Sequence, residues 1–336
     1  MRLDVSHLER IKGLGYAEIE ARFLYLVAVH SGYFTLRQFM NFTGAQYGKR
    51  PTAFGQKVIK RGHAAVRDYL RTGSIFHLFS RRVYGQIEKD NLRNRRRHSF
   101  EFIRRRLVLL DFVFGNPQYD YFETEQDRVT FFCEELAISK DSLPAKIYEG
   151  GPGSKPTIRY FVDKFPLFLS PPFSRTPPVV TLSFVDCGLE TPSTFGAHLA
   201  AYEPLLRQLK SFRFLYIATK DAYFRKAEER FRAFVKRPIE SDVSTEVLRY
   251  FEIRRKWDDR EYVVPVTHDF EFLNQGRQRF QGERFERLYA GWRSGHIGER
   301  ELRDEFGQLA PNSAVFFDTY LVSEHRSPLD ARGRRG

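Results

Sequence analysis

Apolar residues between positions 16 and 30 fall at three- and four-residue steps: Tyr16, Ile19, Phe23, Leu26 and Val27, closing with His30. That spacing turns one side of a helix inward, and Ser31-Gly32 ends it. A shorter periodic run, Leu36, Phe39 and Met40, follows the cap residue Thr35 and stops at Thr43-Gly44. The third element is KRPTAFGQKVIKRGH, starting at Lys49, where Pro51 suits a first helical turn and Phe54, Val58 and Ile59 face inward. Its other face then carries Arg50, Thr52, Gln56, Lys57, Lys60 and Arg61. Two β-prone runs, 64–70 and 75–79, flank the turn Arg71-Thr72-Gly73-Ser74 and predict a hairpin.

Three helices followed by a basic hairpin predict a winged helix with the third helix as recognition element. Arg67, Arg71, Arg81 and Arg82 fall around the wing. Beyond it, Arg95, Arg96 and Arg97 precede a connecting helix over 99–114 with one basic face, a second place for phosphate contact.

Further on, the pattern predicts a helix over 125–139, a short strand over 146–151 and the loop GGPGSKP. Strands over 157–169 and 179–187 follow, separated by SPPFSRTPP, then a helix over 195–211, a strand over 212–219 and a helix over 223–235. The C-terminal part reads as helices over 245–257, 278–292 and 299–306 with a β-like run at 262–267, all packing against the central domain. The tail SPLDARGRRG has nothing to bury and reads as disordered. The class is α+β. The divisions are a winged helix at 1–92, a basic connector at 93–124, a central domain at 125–237, a helical extension at 238–325 and a tail at 326–336.

Charge sharpens this picture. The 336 residues carry 55 Lys and Arg against 42 Asp and Glu, yet 22 of those bases and only 8 of the acids precede Leu107. The remainder is close to neutral, so anion binding belongs to the first third. An excess of Arg over Lys, 41 to 14, does not explain that asymmetry. A content of 42% hydrophobic and 15% aromatic residues excludes a disordered chain. Runs such as FLYLVAV are too short to span a membrane, and the polar start carries no secretion signal, so cytoplasmic residence is the expectation. Cys133 and Cys187 stand alone, without metal-ligand spacing. No HxH, HExxH, Walker or GxSxG element occurs.

The order αβββαβ is that of a restriction-endonuclease-like core, in which carboxylates on the second and third strands bind Mg²⁺ and a lysine helps activate water. Asp163 holds the second-strand position, Asp186 the third, and Lys164 or Glu203 is a candidate substitute for the missing partners. Gly188 stands where the lysine belongs and Phe184 where another acid belongs, so the core reads as catalytically reduced. The plain alternative is that both carboxylates cap backbone N–H groups.

The run GYAEIEARFLYLVAVHSGYFTLRQF, the basic third helix, the hairpin, and the strands VDKFPLF and VTLSFVDCG together resemble the replication-relaxation family of plasmid and mobile-element proteins, over residues 8–235. The resemblance implies a winged helix joined to a nuclease-like domain, acting on double-stranded DNA in plasmid replication or conjugative mobilisation. It also implies a relaxase or replication initiator as partner; a homodimer is compatible with it. Two other classes stay open: a metal-dependent endonuclease or nickase using Asp163 and Asp186, and a transcriptional regulator whose second domain senses or dimerises. A winged helix can also serve protein contacts rather than DNA.

Overall fold

The computed structural model describes residues 3–44, 48–69, 73–149, 156–170, 179–209, 211–236, 242–261, 267–280, 283–307 and 314–322. The chain is α+β with mixed sheets and divides into two compact units, Met1–Arg232 with Ala314–Gly336, and Ala233–Ser313. No helix among the described residues is long and apolar enough to cross a membrane.

The first unit opens with α1 (Val5–Gly13), α2 (Glu18–His30), β1 (Tyr33–Phe34), α3 (Leu36–Thr43), α4 (Lys49–Lys60), β2 (Ala64–Tyr69), β3 (Gly73–Leu78) and α5 (Arg81–Gln86). The polar N-terminus gave no sign of α1. It forms because Asp4 accepts the Ser6 N–H at 2.7 Å and because Leu8 and Ile11 are buried. α3 starts on a reciprocal cap, Thr35 accepting the Gln38 N–H and Gln38 accepting the Thr35 N–H. Inside, the Phe39 and Phe54 rings stack at 4.0 Å and Phe23 meets Phe39 edge-on at 5.0 Å. On α4 the inward stripe is Pro51, Phe54, Gly55 and Val58. Ile59, expected inside, is 40% exposed, because one residue past Val58 the helix has rotated by about 100°. β2 and β3 pair from Ala64 with Leu78 to Tyr69 with Gly73, and β1 adds to β3, giving the order β1-β3-β2. Leu70 and the turn residues Arg71 and Thr72 lie outside the described residues.

The unit continues with α6 (Phe100–Gly115), β4 (Asp120–Tyr121), α7 (Glu125–Thr130), β5 (Ala145–Tyr148), β6 (Thr157–Tyr160), β7 (Phe168–Ser170), β8 (Val179–Asp186), α8 (Pro192–Leu206), β9 (Ser211–Ala218) and α9 (Phe224–Lys236). α6, capped by Ser99, packs on both α2 and β8 and so ties the N-terminal helices to the sheet. The main sheet runs β10-β9-β8-β7-β4, where β10 is Ala314–Leu321. β8, β9 and β10 are parallel, while β7 is antiparallel to β8 and β4 antiparallel to β7.

Two expectations for this region are corrected. The strand expected over 157–169 is broken: Phe161 and Lys164 lie in the left-handed region (φ 49° and 54°) and Pro166 offers no N–H, so only its two ends are extended. The strand expected over 146–151 is not in the main sheet but pairs with β6 in a separate two-stranded sheet. In chain order the elements are α6, β4, α7, β5, β6, β7, β8, α8 and β9, of which β4, β7, β8 and β9 are neighbours in the main sheet. The helix expected over 125–139 ends its regular part at Thr130 and continues as a wider turn to Glu135. Residues 150–155 and 171–178, the two predicted loops, lie outside the described residues.

The second unit holds α10 (Asp242–Asp258), α11 (Thr267–Arg279), α12 (Glu283–Arg293) and α13 (Glu299–Gly307) around its own core of Tyr250, Phe251, Leu273, Tyr289 and Leu302. Arg254 clamps Glu286 with two bonds of 2.8 and 2.7 Å. The single helix expected over 278–292 is divided between the end of α11 and α12. Of the β-like run, 262–266 lies outside the described residues and Thr267 begins α11; the tail at 326–336 also lies outside.

Candidate nucleic-acid interface and acid positions

α4 carries no acidic residue, and its outer face exposes Lys49, Arg50, Thr52, Gln56 and Lys60. Two of the predicted contacts are turned to other work. Lys57 places its ammonium 2.6 Å from Glu20. Arg61 donates to the Leu14 carbonyl at 2.7 Å, with its guanidinium 5.6 Å from the Tyr16 ring centre. The Tyr16 hydroxyl in turn meets His63 Nδ1 at 2.7 Å, and burial pushes its pKa upward. This cluster fixes the end of α4 against the turn between α1 and α2.

Arg67 is exposed on β2. Arg71 lies outside the described residues. Arg81 and Arg82 do not sit on the hairpin: they open α5, where Arg81 pairs with Asp90 at 3.4 Å. Arg95 is half-buried, while Arg96 and Arg97 are exposed. Their segment is held on the β1–β3 side, with the Tyr33 hydroxyl donating to the Arg96 carbonyl at 3.1 Å and the Asn94 amide donating to Ala28 and Val29 carbonyls at the end of α2.

Asp163 sits in the turn between β6 and β7, not on a strand. Its Oδ1 accepts the Phe165 N–H at 3.0 Å and its Oδ2 accepts the Tyr202 hydroxyl at 2.8 Å, with His198 Nδ1 at 3.5 Å. Asp186 ends β8, 3% exposed, accepting the Gly188 N–H at 2.7 Å and the Tyr216 hydroxyl at 2.9 Å. Glu203 pairs with Arg207 at 2.7 Å, one turn along α8. Each oxygen of the two aspartates accepts one hydrogen bond, and among the described residues no three His, Cys, Asp or Glu side chains form a metal-holding group. No metal-dependent step is derived from them.

Lys164, beside Asp163, belongs to a different arrangement. It lines a cavity of about 300 Å³ together with Arg106, Arg128, His30, His98 and Phe102. Arg106 is 3% and Arg128 8% exposed. Arg106 donates through Nη1 to the His30 and Lys164 carbonyls, and Arg128 donates to the Phe165 carbonyl at 3.0 Å. Burial, then the neighbouring Arg106 and Arg128, pushes the Lys164 amine down to about 7. Burial likewise lowers Arg106 to about 9 and His30 to about 3. Nothing in the run Arg104-Arg105-Arg106 marks Arg106 as internal by composition. Its helical phase does, since it lies three residues after Ile103 and four before Leu110, both apolar.

No family model, curated protein or solved structure matches this chain.

Proposed function

We propose that this chain binds double-stranded DNA through α4 and the β2–β3 hairpin, used as a winged helix. The observation that carries the reading is the outer face of α4: five exposed polar or basic residues and no acid, on the helix that follows α3 and precedes the β2–β3 hairpin of a three-stranded sheet. Arg50 and Lys60 would neutralise phosphates and Gln56 would meet base edges in the major groove. Arg67 on the hairpin, and Arg96 and Arg97 beyond it, would extend the phosphate track.

The main-sheet strands β4, β7, β8 and β9, with α6 and α8, support reading the second layer as a restriction-endonuclease-like core whose acids serve structure. With the resemblance noted above, this favours a DNA-binding protein of a plasmid or mobile element, acting in replication or conjugative mobilisation alongside a relaxase or initiator. The test is a salt titration of binding to duplex DNA followed by fluorescence anisotropy. Affinity must fall steeply with salt and weaken in Arg50→Ala and Lys60→Ala. A flat response would exclude phosphate contact and leave a protein-binding module.

A further inference from the structure

The cavity beneath α6 is over-supplied with cations. Arg93, Arg106, Arg128, Arg159 and Lys164 line it against two carboxylates, Glu123 and Glu125. Glu123 is engaged by groups other than these cations, and Glu125 neutralises one of them, Arg159. Glu123 accepts the Tyr25 hydroxyl and pairs with Lys89, and Glu125 pairs with Arg159 at 2.8 Å. Asp163 lies in electrostatic reach of Arg106 and Arg128, but its oxygens are taken by Phe165 and Tyr202. What remains unmatched is buried: Arg106 Nη2, Arg128 Nε and His30 Nε2 have no hydrogen-bond partner.

A guanidinium held inside a protein with part of its N–H set unsatisfied is strongly unfavourable, and two side by side are more so. A neutral acceptor could satisfy their N–H groups but would not neutralise them. An anion with several acceptor oxygens does both, and a phosphate monoester brings a charge near −2 with three such oxygens. The rest of the lining fits an organic group on that anion. Phe102 presents one wall, with the His98 ring stacked on it at 3.9 Å and Arg106 4.8 Å from its centre. Tyr160 and Phe161 form another part of the lining. A volume of about 300 Å³ is at the small end of ligand pockets.

We propose that this cavity is a binding site for a small phosphate monoester, of the size of a sugar phosphate or nucleoside monophosphate, with its phosphate between Arg106, Arg128 and Lys164. The site is separate from the DNA-facing side of α4 and does not depend on that reading.

The test is isothermal titration calorimetry at fixed ionic strength with inorganic phosphate, ribose 5-phosphate, adenosine monophosphate and adenosine, on the full chain. At least one ester binds at least ~10-fold more tightly than inorganic phosphate, adenosine does not bind, and the bound ester raises the melting temperature. Lys164→Gln and Arg128→Gln each weaken binding at least ~10-fold. Circular dichroism checks that each variant is folded; Lys164→Met replaces one that is not and must weaken the ester likewise. The proposal is overturned if no ester binds at millimolar concentration, if the esters bind no better than inorganic phosphate, or if the folded variants bind as the parent does. Full displacement of adenosine monophosphate by a short oligonucleotide without terminal phosphates would overturn it too, because that outcome makes the cavity a diester contact of a nucleic acid.

Discussion

The ammonium of Lys57 lies 2.6 Å from Oε2 of Glu20, so a cation that the helical wheel assigns to the outer face of α4, the face proposed to meet DNA, instead ties α4 to α2. The two sides of that division have different consequences. Lys57→Ala should cost about 1 kcal/mol or less of stability, because the pair is only partly buried, and should leave the salt dependence of DNA binding unchanged. Arg50→Ala and Lys60→Ala should each weaken binding to all duplexes and lower the slope of log K against log salt by about 0.9. Gln56→Ala should relax base discrimination, by about 1–3 kcal/mol at the affected position. Anisotropy titrations over a salt series separate these outcomes. A smaller slope in Lys57→Ala would return that residue to the phosphate track.

Lys164 predicts the alkaline limb of stability. Its amine titrates near 7 in the folded chain and near 10.5 in the unfolded one, so between those values the unfolded chain binds more protons and stability rises with pH. Below about 7 the full cost of the buried charge applies. Lys164→Met removes this contribution, and its melting temperature should vary less than that of the parent from pH 7 to 10. An unchanged slope would mean that Lys164 is not the group responsible.

His30 predicts the acid limb. It stays neutral in the folded chain to about 3, whereas the unfolded residue takes up a proton near 6.5, so stability falls as pH drops through that window. His30→Gln should blunt the fall in chemical-denaturation measurements between pH 6.5 and 4.

Asp186 predicts a structural cost without a catalytic one. Replacing it by Ala removes the acceptor of the exposed Gly188 N–H and strands the Tyr216 hydroxyl inside the protein, a loss of roughly 1–3 kcal/mol in urea unfolding, while Tyr216→Phe should lose about 1 kcal/mol. Millimolar Mg²⁺ should leave the melting temperature of the parent unchanged. A rise with Mg²⁺ that Asp163→Asn abolishes would reinstate a metal centre.

β10 predicts how the chain tolerates truncation. It pairs in register with all of β9, from Ala314 with Ser211 to Leu321 with Ala218, and Phe317 stacks on Phe231 at 5.0 Å. A chain ending at residue 313 would bare the edge of β9 and should elute as aggregates in size-exclusion chromatography. A monomer that melts with the parent would show that the strand is dispensable.

Periodicity alone located α2, α3, α4, the hairpin, α6, β8, α8, β9, α9, α10 and α13, because each buries one face over several turns or alternates over a full strand. The charge count alone placed the basic excess ahead of Leu107. Tertiary structure decided the rest. β4 is two residues long and has no period to read; it exists because β7 offers it partners. β10 lies about 100 residues after the strand it pairs with, beyond a whole helical unit, and no local signal carries that distance. RYFVDKFPLF reads as one strand, yet two left-handed residues fold it into the turn that brings Lys164 to Arg106. Local sequence sets which residues are apolar and which are charged. Only the packing of α6 between the helices and the sheet determined which charges would be shut inside, with more cations than acids around them.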